Sequence, residues 1–254
     1  MGEIAVVTGA ASGVGAATVD GLVARGIPVI AVTRRPQVEQ RNTELVTWVT
    51  GDVSEPTTWS DALEACQHNF GDAPSMLVLS AATLAIGTVL SVTMEEMRRV
   101  FEVNVFGAML GLRACLPGMI ARGGGAIVTV ASTNALFAEQ GLASYCSSKG
   151  ALLQLTRCVA VDHGRQGIRA ICVCPGAIDT PFFRRHVDAA SDPEAFLREK
   201  TERHPSGKIL EAQQVADAIL FFLSPAASGI NGASLLIDGG LTASFDFQAT
   251  APGA

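Results

Sequence analysis

A tyrosine and a lysine four residues apart form the pair in this sequence best suited to moving a proton. Tyr145 is the only tyrosine in the chain, and the run is Tyr145-Cys-Ser-Ser-Lys149. On a helix, residues i and i+4 share a face, so the phenol and the ammonium group project together. An isolated pair of this kind is more often a surface feature, so its sequence context decides the interpretation.

That context contains two further polar residues in apolar surroundings. Ser132 ends the strand-like run 126–131 and precedes Tyr145 by about a dozen residues, and a doubly wound sheet binds its ligands at such strand ends. Asn104 interrupts the apolar helical stretch 101–107, where its helix propensity is poor. Asn104 therefore either bonds to local backbone or belongs to the site.

A glycine cluster joins the first strand-like run to the first helix as Thr8-Gly9-Ala-Ala-Ser-Gly13-Val-Gly15. Gly9 allows a tight turn, Gly13 lets the backbone approach a ligand, and Gly15 permits close packing of helix on strand. The exposed N–H groups at the start of the helix suit a pyrophosphate. The strand–turn–helix context therefore favours a nucleotide site.

Apolar runs alternate with helical stretches along the whole chain. Most runs are continuous, as in strands buried on both faces of a parallel sheet. We therefore predict one α/β domain over 1–254, with a doubly wound (Rossmann) parallel sheet of about seven strands and helices on both faces. The charge-rich segment 180–206 is predicted to be a substrate lid. The predicted strands are 3–8, 27–33, 45–49, 76–80, 125–131, 168–174 and 233–237, and the predicted helices are 13–25, 57–70, 93–121, 144–164 and 211–223.

The composition argues against several classes of protein. Asp and Glu total 24 against 18 Lys and Arg, so the net charge of −6 makes nucleic acid a poor partner. The sequence shows neither an uninterrupted membrane-length apolar stretch nor a signal peptide, so we expect a cytosolic protein. Six scattered cysteines are expected to be buried, reduced thiols, with Cys172 and Cys174 on one strand face. The four histidines do not supply metal-ligand spacing, so no metal site is predicted.

The glycine spacing, followed in order by Ser132 and Tyr145-x3-Lys149, resembles the short-chain dehydrogenase/reductase family over essentially the whole chain. The resemblance implies hydride transfer between a nicotinamide cofactor and a ketone or secondary alcohol. Tyr145 would exchange the proton and Ser132 would donate a hydrogen bond to the substrate oxygen. Lys149 would bind the nicotinamide ribose and lower the pKa of the phenol, while Asn104 would hold a water near Lys149.

The resemblance also implies a cofactor site along the strand ends, including the loop 175–181 against the nicotinamide amide. Two departures from the family pattern are Leu79-Ser80-Ala81-Ala82, in place of Asn-Asn-Ala-Gly, and Cys174, where Asn is common. The implied cofactor residues are Gly9, Ser12, Gly13, Val14, Gly15, Thr33, Arg34, Asp52, Val53, Ser80, Ala81, Ala82, Tyr145, Lys149, Pro175, Gly176, Ile178 and Thr180.

The end of the second strand predicts NADP rather than NAD. An acidic residue there bonds both ribose hydroxyls, whereas a nearby arginine accepts a 2′-phosphate. Thr33 stands where NAD-type members carry Asp, Arg34 follows it, and the next carboxylate is Glu39. Ser12 stands where many NADP-preferring relatives carry a basic residue, so NAD remains an alternative cofactor.

The expected substrate pocket is mostly apolar, which favours a hydrophobic or alicyclic ketone. The lid residues Arg184, Arg185 and His186 are interpreted first as solvated surface, although they leave an anionic substrate open. The expected lining residues are Leu84, Ile86, Thr133, Phe137, Phe182 and Phe183.

Two alternative functions remain, together with one expectation about assembly. A 3-oxoacyl-carrier-protein reductase would need a basic patch beside the cleft, to which Arg98, Arg99 and Arg122 are candidates. A catalytically inactive nucleotide-sensing protein would usually have lost the Tyr/Lys pair by substitution, whereas Tyr145 and Lys149 are both present here. The apolar helices 93–121 and 144–164, together with the resemblance, imply a homotetramer.

Overall fold

The structure, a computed structural model, describes residues 2–35 and 44–244. The strands are β1 (Ala5–Thr8), β2 (Val29–Thr33), β3 (Val46–Thr50), β4 (Met76–Leu79), β5 (Gly125–Val130), β6 (Ile168–Pro175), β7 (Ile178–Asp179), β8 (Leu210–Glu211) and β9 (Ser234–Ile237). The helices are α1 (Gly13–Val23), α2 (Pro56–Phe70), α3 (Met94–Phe101), α4 (Gly107–Ala121), α5 (Ala143–His163), α6 (Pro181–Asp188), α7 (Pro193–Glu202) and α8 (Ala212–Leu223).

Seven strands form one sheet in the order β3-β2-β1-β4-β5-β6-β9, and every pairing is parallel. The prediction of a seven-stranded doubly wound sheet is confirmed. The strand order reverses between β1 and β4, and ligands of such sheets bind in the crevice at that switch point. The fold therefore gathers the strand ends that carry the glycine loop and Ser132.

Alternation along the strands divides the core into two layers, because successive side chains point to opposite faces of a sheet. In β1, Val6 belongs to the layer under α2, α4 and α5, whereas Val7 belongs to the layer under α1 and α8. Both valines are completely buried. Apolar residues on both faces explain why these strands are continuous apolar runs.

The stretch predicted as one helix over 93–121 is α3 and α4 joined by a π-helical turn at Glu102–Phe106. Contrary to the sequence-based expectation, this 28-residue rod is long and apolar enough to cross a membrane by length and composition alone. Leu112, Cys115 and Met119 are buried in the core. The apolar face of this rod therefore packs into the protein core.

Two further differences from the predictions have simple causes. The two-residue strands β7 and β8 pair with each other, and they are too short for a periodic pattern to reveal them. All six cysteines are free thiols, but the expectation that all are buried is wrong. Cys158 is exposed and Cys146 is only partly buried, because they lie on turns of α5 that the sheet does not cover completely.

Candidate active site

The predicted proton-transfer pair is brought together on α5. The Lys149 ammonium nitrogen lies 5.5 Å from the centre of the Tyr145 ring, and both side chains are buried. Lys149 Nζ also donates a hydrogen bond to the carbonyl oxygen of Val130, 2.8 Å away at the end of β5. The helix face that carries Tyr145 and Lys149 therefore lies against the end of β5, as the sequence predicts.

Burial governs the protonation of this pair. It raises the pKa of the Tyr145 phenol, and a hydrogen bond with Ser132 opposes that rise only in part. Burial lowers the pKa of Lys149 to about 8. Without a cofactor the buried phenol is therefore held in its protonated form, and the lowering of its pKa by Lys149 and the nicotinamide stays a prediction.

Ser132 begins the loop that follows β5. Its hydroxyl oxygen accepts a hydrogen bond from the backbone N–H of Asn134, at 3.1 Å, and the side chain is buried beside Tyr145. The capping bond fixes the extended backbone at Ser132 before a short 3₁₀ turn. The hydroxyl itself donates only a long hydrogen bond, of 3.5 Å, to the carbonyl oxygen of Pro175, so its proton can be redirected to a ligand oxygen.

Asn104 lies in the π-helical turn, and π turns are frequent at functional sites. Its amide exchanges two hydrogen bonds with the backbone of Thr83, at 2.8 and 2.9 Å. It also donates to Ser148 Oγ at 2.9 Å, and Ser148 adjoins Lys149 on α5. Asn104 thus ties the rod 94–121 to α5. Sequence reasoning missed Ser148, for which the only available signal was its position within the Tyr-x3-Lys motif.

The glycine loop has the packing that its spacing predicts. A Cβ on Gly15 would lie 2.3 Å from the carbonyl oxygen of Gly9, so a side chain there would drive α1 away from β1. Gly13 adopts a φ of +55°, and a Cβ there would lie 2.9 Å from Thr180 Cγ2. Ser12 is the N-cap residue of α1 but its side chain makes no capping bond. The first N–H groups of α1 therefore remain suited to phosphate oxygens.

The hydroxyl of Thr8 links β1 to the end of β4. It accepts hydrogen bonds from the backbone N–H groups of Ser80 and Ala81, at 3.0 and 3.1 Å. It donates to the carbonyl oxygen of Val78 at 3.4 Å. The link between β1 and the end of β4 therefore uses the threonine rather than a side chain at position 80, which leaves the small residues Ala81 and Ala82 beside the crevice.

Thr33 and Arg34, the residues expected to recognise the cofactor ribose, lie at the end of β2. Thr33 is buried and its hydroxyl is engaged with the backbone of Arg35. Arg34 is exposed, and within 2–35 and 44–244 no ion-pair partner is found for it. Glu39 lies outside the described residues.

Asp52, an expected cofactor residue beside Val53, lies after β3 and is held by Ser54 and Arg99. Although partial burial acts in the opposite direction, these hydrogen bonds lower the pKa of Asp52. Arg99 is therefore committed to this carboxylate. Arg122 is committed at the opposite edge of the sheet, where it bonds to the carbonyl oxygen of Ala73. Two of the three candidates for a basic patch beside the cleft, Arg99 and Arg122, are therefore engaged at different places.

The segment after β6 closes the site from the other side. Pro175 and Gly176 end the strand, and Ile178 enters the β7–β8 ladder. Thr180 accepts a bond from Phe183 N–H at 3.3 Å and so caps α6. Phe182 then places its ring 6.0 Å from the ring of Tyr145. Of the expected pocket residues, Phe182 contacts Tyr145, whereas Ile86 and Phe137 are about half exposed.

A charged network that the sequence did not reveal connects this segment to the loop after Ser132. Glu139 accepts hydrogen bonds from Lys200 Nζ at 2.5 Å and from Asn134 Nδ2 at 2.9 Å. Lys200 lies on α7, in the predicted lid. Burial alone raises the pKa of the Glu139 carboxyl, but these two bonds and the nearby His186 hold it below its ordinary value. Partners 61 residues apart leave no local pattern in a sequence.

Comparison with known proteins gives matches over nearly the whole chain. A family model described as Enoyl-(Acyl carrier protein) reductase matches residues 9–242. The chain is similar to 2-(R)-hydroxypropyl-CoM dehydrogenase of Xanthobacter autotrophicus, with 38% identity over 96% of this chain and 100% of the relative. It is also similar to cis-4-hydroxycyclohexanecarboxylate dehydrogenase of Sinomonas cyclohexanicum, with 32% identity over 96% and 100%. The solved aldohexose dehydrogenase of Thermoplasma acidophilum has a TM-score of 0.90 at 30% identity, covering 97% of this chain and 96% of that one.

Proposed function

The chain belongs to the short-chain dehydrogenase/reductase family, and on that premise we propose that it transfers hydride between NADP and a hydrophobic or alicyclic ketone or secondary alcohol. It is a nicotinamide-dependent oxidoreductase of ketones and secondary alcohols. The observation that carries the assignment of the catalytic residues is the buried contact of Tyr145 with Lys149 and Ser132, closed over by the ring of Phe182.

The chain's own residues perform the proton half of the reaction, and a nicotinamide held along the strand ends would supply the hydride chemistry. In reduction, the Tyr145 hydroxyl gives its proton to the carbonyl oxygen, and in oxidation it takes the proton back. Ser132 donates a hydrogen bond to the same oxygen, where negative charge develops. Lys149 binds the nicotinamide ribose, and positive charge gathered beside Tyr145 offsets the rise in phenol pKa that burial causes. Asn104 keeps Lys149 linked to solvent through water.

The cofactor preference rests on Thr33 and Arg34. The exposed guanidinium of Arg34 can meet a 2′-phosphate with two charge-assisted hydrogen bonds. No aspartate stands at position 33 to repel that phosphate. The experiment is kcat/KM with NADPH and NADH, for wild type and for Thr33→Asp/Arg34→Ala. Wild type is expected to favour NADPH and the double variant to shift toward NADH, while a tenfold wild-type preference for NADH would refute this interpretation.

The substrate proposal rests on the apolar lining of the cleft and on what similar proteins are named for. Phe182 and the partly buried Leu84 and Phe183 offer mainly hydrocarbon surface. One relative is named for a hydroxycyclohexanecarboxylate, which supports an alicyclic secondary alcohol. A panel of cyclic and open-chain ketones, read by the absorbance of the reduced cofactor, tests this directly. Turnover of open-chain ketones alone would contradict it.

The two alternatives receive less support. An acidic carrier protein needs a basic patch beside the cleft, and Arg99 and Arg122 are engaged elsewhere. A protein without catalysis has no use for a buried Lys149 next to the phenol, since burying a lysine is costly. We therefore retain the oxidoreductase, and an assay of an acyl thioester against a free ketone separates it from a carrier-protein reductase.

We also propose a cytosolic homotetramer with the segment 180–206 acting as its substrate lid. Apolar side chains on the π-helical turn, α4 and α5 are exposed in the single chain, including Phe106, Met109 and Val161. Exposed apolar patches of this kind mark surfaces that pack against another subunit. The free thiols fit a reducing compartment.

A further inference from the structure

One arginine of the lid stands on the aromatic wall of the site. The guanidinium carbon of Arg185 lies 5.8 Å from the centre of the Phe182 ring, and that ring lies 6.0 Å from the ring of Tyr145. The two residues are three apart on α6, so they share the helix face that is turned toward the tyrosine. The ring of Phe182 therefore lies between the guanidinium of Arg185 and the ring of Tyr145 in this chain of contacts.

Arg184, the preceding residue on α6, differs from Arg185 because its charge is paired with a carboxylate. Arg184 makes two hydrogen bonds to the Asp179 carboxylate, at 2.6 and 2.7 Å. These bonds, together with the negative charge of Asp188, raise the pKa of Arg184. Arg185 has no carboxylate within ion-pair distance among the residues that the structure describes. Its stacking on Phe182 orients the guanidinium without neutralising it.

The buried Lys149 lies beside Tyr145 and is bonded to the carbonyl oxygen of Val130, whereas the two other basic groups near the lid contact, Lys200 and His186, do not supply a free positive charge. Lys200 is neutralised by Glu139. Burial lowers the pKa of His186, the next residue on α6, and although Glu139 raises it the net direction is downward, so the imidazole is mainly neutral at pH 7. On a chain of net charge −6, Arg185 is thus a local exception at the cleft.

We propose that the substrate carries a fixed negative group, a carboxylate or a sulfonate, away from the reacting carbon, and that Arg185 receives it. A planar guanidinium held on a ring suits such a group because it offers two parallel donors. The apolar part of the substrate then lies along Phe182 between the anion and Tyr145. This inference rests on the proposed function, since it concerns the ketone or alcohol handled by the same site.

The test compares matched substrates on matched variants. Wild type, Arg185→Ala and the control Arg184→Gln are assayed with 4-oxocyclohexanecarboxylate, the corresponding sulfonate and the neutral methyl ester. We expect wild type to prefer an anion over the ester by roughly 10-fold or more in kcat/KM, because charged hydrogen bonds contribute strongly. Arg185→Ala is expected to lose roughly that factor for the anions and less than about 2-fold for the ester, whereas Arg184→Gln changes neither.

Several results would overturn the proposal. Equal kcat/KM for acid and ester in wild type would do so, as would an equal loss for both in Arg185→Ala, which would mark a structural role in the lid. An equal loss in Arg184→Gln would indicate diffuse surface charge instead. The anion of higher kcat/KM identifies which acid the site prefers.

A binding measurement separates this proposal from the proposed function. Calorimetric titration of cyclohexanecarboxylate into the protein needs no turnover, and the expected result is binding to wild type that Arg185→Ala weakens about 10-fold. Binding of this kind without turnover of any ketone would overturn the function and support the anion site. Turnover of neutral ketones without anion binding would do the reverse.

Discussion

The ion pair between Lys200 and Glu139 joins α7, in the proposed lid segment, to the loop that follows Ser132. The substitution Lys200→Met should remove this connection. The lysine side chain is only 14% exposed and the glutamate 26% exposed. Met keeps most of the hydrocarbon length while removing the charge. The substitution therefore leaves Glu139 with Asn134 as its one remaining side-chain hydrogen-bond partner among the described residues.

The magnitude follows from this partial burial. Breaking a fully buried pair costs about 3–5 kcal/mol, whereas exposed pairs contribute about 0–1 kcal/mol. A pair with this exposure should fall between them, at about 2 kcal/mol. For a chain of this size, that corresponds to a fall in Tm of roughly 4–8 °C. Under the proposal that the segment 180–206 is the substrate lid, kcat/KM should also fall by about 10-fold, mainly through KM.

The loss should depend on pH with a defined sign. The pKa of Glu139 is lowered in the folded protein, so the unfolded chain binds the proton more readily. Its contribution to stability is present above the unfolded pKa of about 4.3 and is lost as pH falls through the lower folded value. The difference in unfolding free energy between wild type and Lys200→Met should therefore be full at pH 6–7 and shrink below about pH 4.

The assay is thermal or urea unfolding of Lys200→Met, Glu139→Gln and the double variant across this pH range, beside steady-state kinetics. Arg203→Met is the control, because Arg203 and Glu199 are both more than half exposed at 4.0 Å. The control should change stability by less than about 0.5 kcal/mol. The reasoning would be refuted by a coupling energy between Lys200 and Glu139 no larger than the stability change of Arg203→Met. It would also be refuted by a coupling energy that stays constant from pH 7 to pH 4.

Two further variants test the glycine loop and the assembly. Gly15→Ala should destabilise the fold by at least about 2 kcal/mol and weaken NADPH binding, because its Cβ would meet a backbone oxygen at 2.3 Å. Gly150→Ala, whose nearest contact would be an ordinary 3.6 Å, should be neutral or stabilising, so equal unfolding curves for the two would contradict this account. Val161→Glu should shift sedimentation from tetramer toward smaller species with unchanged folding of the subunit, because Val161 is 81% exposed in the single chain. A wild type that sediments only as a monomer would contradict the proposed assembly.

Much of the fold and the proton-transfer pair can be read from the sequence, because both depend on local spacing. Continuous apolar runs predict the strands, and the four-residue interval of Tyr145 and Lys149 predicts their shared helix face. The glycine spacing likewise predicts that Gly15 allows close packing of α1 at the end of β1, and the position of Gly15 against the backbone of Gly9 agrees with it. In each case the partners are near in sequence or belong to one regular element.

What the sequence does not predict depends on contacts between distant segments. The π turn that holds Asn104 accompanies its bonds to Thr83 and Ser148, which are 21 and 44 residues away. The pairing of Glu139 with Lys200 requires α7 to lie against the loop that follows Ser132. The pKa of Tyr145 depends on burial, which a helical spacing alone does not reveal.

The most direct test of the central claim is kcat of Tyr145→Phe, measured by the absorbance of the reduced cofactor with a ketone that wild type turns over. The substitution removes one hydroxyl from a ring whose contacts with Phe182 and Lys149 remain, so folding and cofactor binding should persist. General acid catalysis contributes about 10²–10⁴-fold, so kcat should fall by at least about 100-fold. A folded Tyr145→Phe protein that keeps near-wild-type kcat would contradict the account.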